Sequence, residues 1–379
     1  MTLTPRPGIL EVAPYVGGEA AIPGKNRVIR LASNENPLGP SPRAMAAYAT
    51  LEKEIHRYPD GDARALREAI ARSEELDPAR IVCGAGSDEL IALLVRGYAG
   101  PGDEVLHSEH GFLMYSIAAR TAGAEPIAAA ERDLTADVDG LLERVSDRTR
   151  LLFLANPNNP TGSYLAEAEL RRLREGLPEE VVLVIDAAYA EYATQDDYCS
   201  AMDLVAEFDN LVVTRTFSKI HGLAALRLGW AYCPPAVADV LNRLRGPFNV
   251  SQAAQAAGIA AVKDRQHVER SRAHNARWLA WTIERLSALG FDPRPSAGNF
   301  LLVRFAEEPG RSAEAALAHL KKHGILVRAM GGYGLPDCLR ITIGTESETR
   351  AVVQALEDFA ARAAAGAAAE PAAGSGAQA

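Results

Sequence analysis

A short segment near the middle of the chain carries residue types that can form an imine and hold a phosphate. Lys219 closes the hexapeptide Thr-Arg-Thr-Phe-Ser-Lys, and Arg227 follows eight residues later. A lysine amine can form an imine with an aldehyde, while the hydroxyls of Thr216 and Ser218 and the guanidinium of Arg227 suit an oxyanion. A serine–lysine pair after a strand is also common on protein surfaces, so this segment alone leaves the chemistry open.

Three further segments place polar groups or glycines at the ends of apolar runs. Asp186 follows the apolar run 181–185 and can bond a protonated ring nitrogen, although capping and turn aspartates are more common. Asn159 lies in the proline- and glycine-containing turn 156–162, where its amide can reach a phenolate oxygen, although a plain turn explains it equally. The glycines of the segment 84–89 precede a predicted helix, whose first N–H groups can bind a phosphate.

All four segments follow predicted strands of one sheet. Between about 46 and 265, short apolar runs recur at 81–83, 105–106, 151–154, 181–185, 211–213 and 229–232, and predicted helices separate most of them. Buried runs without strict alternation, spaced by helices, indicate a parallel sheet covered on both faces. Ligands of such sheets bind beyond the carboxyl ends of the strands. The four segments therefore converge on one candidate site.

The remaining pattern predicts an α/β protein with a second, smaller domain. We expect an N-terminal arm at 1–45, a large domain at 46–265, a small α+β domain at 266–362 and a disordered tail at 363–379. The arm is rich in proline and glycine, and an arm of this length is expected to pack on a partner subunit. The small domain combines a long helical pattern with three short strands, and the tail is of low complexity.

Composition and charge limit the classes of molecule that we expect the protein to bind. The 379 residues carry a formal net charge of -9, which argues against nucleic acid and anionic membranes as partners. The apolar run 181–185 is far shorter than the ~20 residues that cross a bilayer, and the N-terminus lacks the apolar run of a signal peptide. The four cysteines form no CxxC pair. We therefore expect a cytoplasmic protein with reduced thiols and predict no metal site.

Longer motifs carry a family resemblance over roughly residues 8–360. The most telling are Ser-Asn-Glu-Asn-Pro-Leu-Gly at 33–39 and Arg-Tyr-Pro-Asp-Gly at 57–61, supported by Pro-Tyr-Val-Gly-Gly at 14–18 and Leu-Arg-Ile-Thr-Ile-Gly at 339–344. With these motifs the sequence resembles the fold-type I aminotransferases that depend on pyridoxal phosphate, and within them the histidinol-phosphate aminotransferase family. The resemblance implies a mostly parallel, seven-stranded sheet in the large domain and a small domain that includes the arm.

The resemblance also implies the contacts of pyridoxal 5'-phosphate. Lys219 would bind the cofactor as a Schiff base and would move the substrate's α-proton. Asp186 would keep the ring nitrogen protonated, and Asn159 and Tyr189 would bond the phenolate oxygen. The remaining implied contacts are phosphate binding by Gly86, Ser87, Thr216, Ser218 and Arg227, stacking of Phe112 on the cofactor ring, and approach of Tyr58 to the phosphate from a second subunit.

Two arginines are implied to bind the substrate. Arg340 would hold the α-carboxylate, because an arginine matches a carboxylate bidentately. Arg328, on a neighbouring predicted strand, would supply a second cationic group for a substrate phosphate. Which arginine binds which anion is left open. Tyr15 and Asn34 on the arm are expected to form walls of the substrate pocket.

The implied reaction interconverts histidinol phosphate and 2-oxoglutarate with imidazole acetol phosphate and glutamate, in histidine biosynthesis, by a homodimer with shared active sites. Transamination of phenylalanine and tyrosine stays a close alternative, because one pocket can accept several flat rings. Decarboxylation of a phosphorylated amino acid is a more distant one, since the fold does not fix which bond breaks. His221, two residues after Lys219, replaces an expected aromatic residue and either packs locally or titrates near the imine.

Overall fold

The chain forms two compact units. The structure is a computed structural model that describes residues 3–6, 8–14, 17–25, 27–308 and 310–369, with side chains as far as 362. The first unit comprises Glu35–Ala276, Ser296–Asn299 and the described residues of Met1–Val16. The second unit comprises Arg277–Pro295 and the described residues of Gly17–Asn34 and Phe300–Ala379. The domain limits expected from the sequence stay a prediction.

The helices and strands of the described residues are numbered in chain order. The strands are β1 (Ile29–Leu31), β2 (Ile81–Gly84), β3 (Glu104–Ser108), β4 (Glu125–Ala129), β5 (Glu131–Arg132), β6 (Thr135–Ala136), β7 (Thr149–Ala155), β8 (Val182–Asp186), β9 (Leu211–Thr216), β10 (Gly229–Tyr232), β11 (Asp292–Pro293), β12 (Phe300–Arg304), β13 (Ile325–Ala329) and β14 (Cys338–Thr342). The α-helices are α1 (Pro42–Ala49), α2 (Arg64–Glu74), α3 (Ser87–Tyr98), α4 (Met114–Ala122), α5 (Val138–Glu143), α6 (Glu167–Gly176), α7 (Leu204–Glu207), α8 (Pro235–Leu244), α9 (Gln252–Val262), α10 (Arg265–Ala288), α11 (Ala313–Lys322) and α12 (Glu346–Ala369).

The first unit is built on a seven-stranded sheet of order β2-β10-β9-β8-β7-β3-β4. β10 runs antiparallel to both of its neighbours, and the pairs among β9, β8, β7, β3 and β4 are parallel. The predicted mostly parallel sheet of seven strands is therefore confirmed. Because β7, β8 and β9 are adjacent and parallel, the turns that follow them lie at the same edge of the sheet.

Two apolar layers cover this sheet. Along β8, Leu183 and Ile185 pack into one hydrophobic cluster, while Val182 and Val184 pack into the other. Successive side chains of a strand point to opposite faces, so the uninterrupted apolar run that predicted this strand feeds both layers. The same alternation on β9 sends Thr214 and Thr216 to one face and Arg215 to the other.

The second unit has its own sheet and core. Its five strands follow the order β1-β13-β14-β12-β11, with β1 parallel to β13 and the other pairs antiparallel. Residues of β12, β13 and β14 pack against α10, α11 and α12 in a third hydrophobic cluster. Ser312 begins α11 by accepting a hydrogen bond from the backbone N–H of Ala315 at 3.2 Å, which is the usual role of a serine N-cap.

Two elements differ from the sequence-based expectation. β4 was not predicted, because this edge strand contains Glu125 and Pro126 and pairs only with β3, so it needs no fully buried apolar run. The disordered tail was expected to begin at 363, but α12 continues to Ala369. The rest of the predicted tail, 370–379, lies outside the described residues. None of the helices in the described ranges combines the length and apolar character that crossing a bilayer requires.

Candidate active site

Lys219 lies three residues beyond the end of β9, at the edge of the sheet where β7 and β8 also end. Its side chain is half-buried, and its Nζ atom is 5.7 Å from the centre of the buried Tyr189 ring. Tyr189 itself follows β8 by three residues. The adjacent, parallel strands β8 and β9 thus bring a lysine amine and a phenol together, although Tyr189 and Lys219 are 30 positions apart in the sequence.

Asp186 ends β8 as a buried carboxylate with two hydrogen-bond donors. The Tyr115 hydroxyl donates to its Oδ2 atom at 2.9 Å, and the Thr214 hydroxyl donates to its Oδ1 atom at 3.0 Å. Burial raises the pKa of Asp186 to about 6, and the two hydrogen bonds oppose that rise. A buried carboxylate with a raised pKa is suited to a cationic partner, because a nearby positive charge would restore its ionised form.

The pH dependence of stability follows from this raised pKa. In the cofactor-free chain, the folded carboxyl keeps a proton between pH 3.8 and about 6 that the unfolded chain has released. Its stabilising contribution is therefore complete below pH 3.8 and is lost as the pH rises through about 6. Relative to Asp186→Asn, the wild type is expected to lose roughly 3 kcal/mol of unfolding free energy across this window. Urea titrations at half-unit pH steps test this, and a constant difference between the two proteins would contradict it.

A set of hydrogen-bond donors lies where β2 meets α3. Gly86 adopts φ 88°, and a Cβ atom there would lie 2.6 Å from Nη2 of Arg227. Arg227 Nη1 in turn donates to the Ser218 hydroxyl at 3.2 Å, and the Ser218 backbone N–H donates to the Thr216 hydroxyl at 3.1 Å. α3 begins at Ser87, so its first N–H groups add a partial positive charge. The arrangement suits a bound phosphate.

The Arg227 side chain also has an acidic partner. Its Nη2 atom donates to Asp88 Oδ2 at 3.0 Å, and both side chains are about half exposed. Arg227 itself has φ 49°, a backbone conformation that residues other than glycine rarely adopt. The ion pair holds the guanidinium beside Gly86, where the sequence analysis predicts that both residues bind a phosphate.

The turn that carries Asn159 is tied down by its neighbours. Asn156 accepts a hydrogen bond from the Leu165 N–H at 2.7 Å and donates to the Leu165 carbonyl at 3.1 Å. Asn158 donates to the Thr161 hydroxyl at 2.9 Å. Asn159 is half-buried in this turn, which follows β7. Its predicted contact with the phenolate oxygen stays a proposal.

Phe112 is connected to Asp186 through one intermediate ring. The Phe112 and Tyr115 rings meet edge-on at 5.9 Å, and Tyr115 stacks on Phe153 at 4.8 Å with an interplanar angle of 9°. Tyr115 also bonds Asp186. Phe112 therefore belongs to the same side-chain cluster as the buried carboxylate, which is compatible with its predicted stacking on a ring held there.

Tyr58 stands apart from the residues described so far. Its side chain is 83% exposed, and its ring stacks on Phe248 at 4.7 Å. Within the described chain its hydroxyl makes no hydrogen bond. The predicted contact of Tyr58 with a phosphate in a second subunit is compatible with this exposure.

The predicted substrate-binding arginines lie in the second unit. Arg328 of β13 and Arg340 of β14 are paired directly across these two strands. Arg340 is buried, and its Nη2 atom donates to the Ala32 carbonyl at 2.8 Å. Asn34 joins the same sheet, because its N–H donates to the Thr342 hydroxyl at 3.0 Å and its Oδ1 accepts from that hydroxyl at 3.1 Å. Tyr15 lies outside the described residues.

The back face of β9 holds a separate charged group. Arg215 donates to Glu191 at 2.7 Å, and its guanidinium lies 5.7 Å from the centre of the Trp230 ring. His221 is buried nearby with its ring 4.7 Å from Phe217. Burial lowers the pKa of His221 to about 4, so the ring stays neutral at physiological pH. These contacts favour local packing over titration, and an unchanged pH–rate profile in His221→Phe would agree.

Sequence reasoning missed two residues that contact Asp186. Thr214 was quoted in its motif without a role, yet it lies two positions before Thr216 on the same strand, and the period of two places both hydroxyls on one face. Tyr115 begins no recognisable motif. Its hydroxyl reaches Asp186 across 71 residues of sequence, so only the folded chain reveals the contact.

Comparison with known proteins agrees with this geometry. The sheet, with a lysine after one strand and a buried aspartate at the end of the next, is that of the fold-type I transferases that use pyridoxal phosphate. The family model "Aminotransferase class I and II" matches residues 26–356. The chain belongs to the class I and II aminotransferase family.

Individual relatives are similar over nearly the whole chain. The curated histidinol-phosphate aminotransferases of Rhodospirillum centenum and Paramagnetospirillum magneticum are 61% and 58% identical over 355 residues, covering 94% of this chain and 98% of each relative. The crystal structure of histidinol-phosphate aminotransferase from Sinorhizobium meliloti in complex with pyridoxal-5'-phosphate has a TM-score of 0.86 at 29% identity, covering 94% of this chain and 98% of that one. An aromatic aminotransferase from Pyrococcus horikoshii shares the fold, with a TM-score of 0.78.

Proposed function

We propose that this chain is a pyridoxal-phosphate-dependent transaminase of histidine biosynthesis that acts in the cytoplasm. It interconverts histidinol phosphate and 2-oxoglutarate with imidazole acetol phosphate and glutamate. The observation that carries the proposal is the direct pairing of Arg328 and Arg340 on β13 and β14. Residues directly opposite each other on neighbouring strands place their side chains on the same face of the sheet, so this pair brings two guanidinium groups close enough to bind two anionic groups. A reaction between a phosphate ester and a dicarboxylic acid supplies such anions.

The residues of the first unit fit pyridoxal 5'-phosphate. Gly86, Ser87, Thr216, Ser218 and Arg227 form a donor set for its phosphate, and a side chain at Gly86 would displace the guanidinium. The buried carboxylate of Asp186, whose pKa burial raises to about 6, is matched by a protonated ring nitrogen. The first unit thus offers anion-binding groups for the cofactor phosphate and a carboxylate for its protonated ring nitrogen.

When bound, pyridoxal phosphate supplies an electron-withdrawing ring that makes the α-hydrogen of the substrate acidic. Asp186 keeps a positive charge on that ring favourable, while Tyr115 and Thr214 fix the direction of its carboxylate. Lys219 Nζ, beside the Tyr189 ring, would take the proton from the substrate α-carbon and deliver it to the cofactor carbon that accepts the amino group. Asn159 and Tyr189 would bind the phenolate oxygen, and Phe112 would stack on the ring.

Arg340 and Arg328 orient the substrate in this scheme. A bidentate arginine fixes a carboxylate in one plane, which keeps the α-carbon in a single orientation. Arg340 is the buried member of the pair and rests on the Phe300 ring, with its guanidinium carbon 5.3 Å from the ring centre. We assign it the α-carboxylate of glutamate and assign Arg328 the phosphate of histidinol phosphate, with Asn34 and Tyr15 as walls of the pocket.

Substitution of each arginine is expected to separate the two half-reactions. Arg340→Ala should lower kcat/KM with glutamate by about 10²-fold, because the carboxylate loses two charge-assisted hydrogen bonds. Arg328→Ala should have an effect of similar size with histidinol phosphate. Single-turnover absorbance changes measure both, and Arg304→Ala, at the end of β12 in the same sheet, serves as the control. Unchanged kinetics of Arg328→Ala with histidinol phosphate would exclude its role.

A half-reaction screen tests the substrate. The purified holoenzyme is mixed in turn with histidinol phosphate, glutamate, phenylalanine, tyrosine and aspartate, and the cofactor absorbance is followed. We expect histidinol phosphate and glutamate to convert the cofactor to its amine form. A higher kcat/KM for phenylalanine or tyrosine than for histidinol phosphate would make the chain an aromatic aminotransferase, and release of carbon dioxide would make it a decarboxylase.

We further propose a homodimer in which each site uses Tyr58 of the partner. The segment 45–58 exposes Met45, Tyr48, Ile55 and Tyr58, and the partly exposed Phe248 stacks on Tyr58, so large apolar side chains are available for an interface. Sedimentation equilibrium tests the oligomeric state. Mixing Lys219→Ala with Tyr58→Phe chains should restore one native site per mixed dimer, and the absence of any restored activity would contradict shared sites.

A further inference from the structure

The turn between α8 and α9 holds Phe248 in an unfavourable backbone conformation. Phe248 has φ 55°, in the left-handed region that a bulky residue rarely occupies. Strain of this kind persists only where surrounding contacts enforce it, and it is concentrated at functional positions. Asn249 supplies one such contact, because its Nδ2 atom donates to Glu89 Oε2 at 2.7 Å and to the Cys83 carbonyl at 3.2 Å.

The strained residue presents its ring to Tyr58. The two rings stack at a centroid distance of 4.7 Å and an interplanar angle of 21°. A Cβ atom added to Gly61 would lie 3.5 Å from the Phe248 ring, so the ring also covers the turn that follows Tyr58. Phe248 is the residue whose ring limits the motion of the otherwise exposed Tyr58 side chain.

The backbone after Tyr58 is fixed independently. Asp60 accepts hydrogen bonds from the N–H groups of Asp62 at 3.0 Å and Arg64 at 2.8 Å. Gln255 donates to the Asp60 carbonyl at 2.8 Å, and Arg245 donates to the Gly61 carbonyl at 2.6 Å. These contacts fix the backbone at residues 60–61. The Tyr58 ring itself is positioned by stacking on Phe248.

We propose that Phe248 is a positioning residue for Tyr58, which it orders before a second copy of the chain binds. A free tyrosine side chain loses rotamer entropy when its hydroxyl binds a partner, and stacking in advance reduces that cost. The Tyr58 hydroxyl then donates to the cofactor phosphate of the partner subunit. This inference rests on the proposed dimeric transaminase and adds a residue to it that no family motif named above contains.

A double-mutant cycle on cofactor affinity tests the inference. Tyr58→Phe removes only the hydroxyl and is expected to weaken pyridoxal phosphate binding about tenfold. Phe248→Gly removes the stacking ring and is expected to weaken it several-fold, whereas Phe248→Tyr keeps the stack and the affinity. If Phe248 acts through Tyr58, the double variant Tyr58→Phe/Phe248→Gly should bind the cofactor no more weakly than Tyr58→Phe alone. Fluorescence titration of the cofactor-free dimer with pyridoxal phosphate gives each constant.

A matched control separates positioning from backbone strain. Glu75 is exposed and has φ 59°, close to that of Phe248. Glu75→Gly relieves similar strain and is expected to leave cofactor affinity unchanged. Phe248→Gly should also retain its melting temperature within a few degrees, because glycine accepts a positive φ and the lost ring is on the surface.

Several outcomes would overturn the inference. The first two are an unchanged affinity for pyridoxal phosphate in Phe248→Gly or in Tyr58→Phe. The third is that Phe248→Gly weakens cofactor binding equally with and without the Tyr58 hydroxyl. The fourth is that the protein is a monomer. The cycle reads cofactor binding and needs no substrate. A chain that shows the coupling but does not convert histidinol phosphate would refute the proposed substrate and keep the role of Phe248, while an active chain without coupling would do the reverse.

Discussion

Replacement of Lys219 by alanine is expected to lower the rate of transamination by on the order of 10⁴-fold or more, while the fold is retained. The lysine supplies both the amine that binds the cofactor and the base that moves the α-proton, so its loss removes two contributions at once. Its side chain is half-buried beyond the end of β9, and truncation there opens little of the core.

Stopped-flow absorbance with histidinol phosphate and with glutamate measures this effect. Borohydride reduction of the wild type, followed by peptide mapping, should place a pyridoxyl label on residue 219, and Lys219→Ala should lack that label. Lys263→Ala, an exposed lysine after α9, is the matched control and should retain full activity. A label elsewhere, or an active Lys219→Ala, would remove the basis of the proposed function.

Asp186→Asn is expected to give the second largest loss, on the order of 10²- to 10³-fold in kcat. Asparagine fills the same volume but carries no negative charge, so a protonated cofactor nitrogen loses its counter-ion. The hydrogen bonds from Tyr115 and Thr214 fix the aspartate in place. Tyr115→Phe should therefore produce a smaller loss in the same direction, of about tenfold or less.

Steady-state kinetics and the absorbance spectrum of the bound cofactor test this prediction together. Asp264→Asn is a suitable control, because Asp264 is also buried and its carboxylate accepts a hydrogen bond from the His267 N–H, at 3.3 Å. Equal losses of activity in Asp264→Asn and Asp186→Asn would indicate that the fold is destabilised and that the negative charge of Asp186 is not the cause. Full activity of Asp186→Asn would contradict the assigned role.

Much of this architecture was predictable from sequence because parallel strands simplify the problem. Each buried apolar run marks a strand, and the polar residue that follows it must lie at the carboxyl edge of the sheet. The sequence alone therefore predicts that Lys219, Asp186 and the glycines at 84–86 lie at one edge of the sheet. The pairing of Arg328 with Arg340 also follows from two neighbouring strands, although the exact register needed the structure.

The residues that escaped prediction are those defined by tertiary contacts. β4 is an edge strand whose exposed side needs no apolar residues, so its sequence carries no strong pattern. Tyr115 acts through a hydroxyl that reaches a strand 71 residues away. Phe248 is recognisable only from its backbone angle and its stacking partner. Local periodicity contains no information about any of these three features.

The alternation along β9 has an evolutionary consequence. Thr214 and Thr216 face the carboxylate and the donor set, while Arg215 between them pairs with Glu191 on the opposite face. Insertion or deletion of one residue in this strand would exchange the two sets of side chains and bury an arginine where hydroxyl groups are needed. We therefore expect the length of β9 to be retained during divergence.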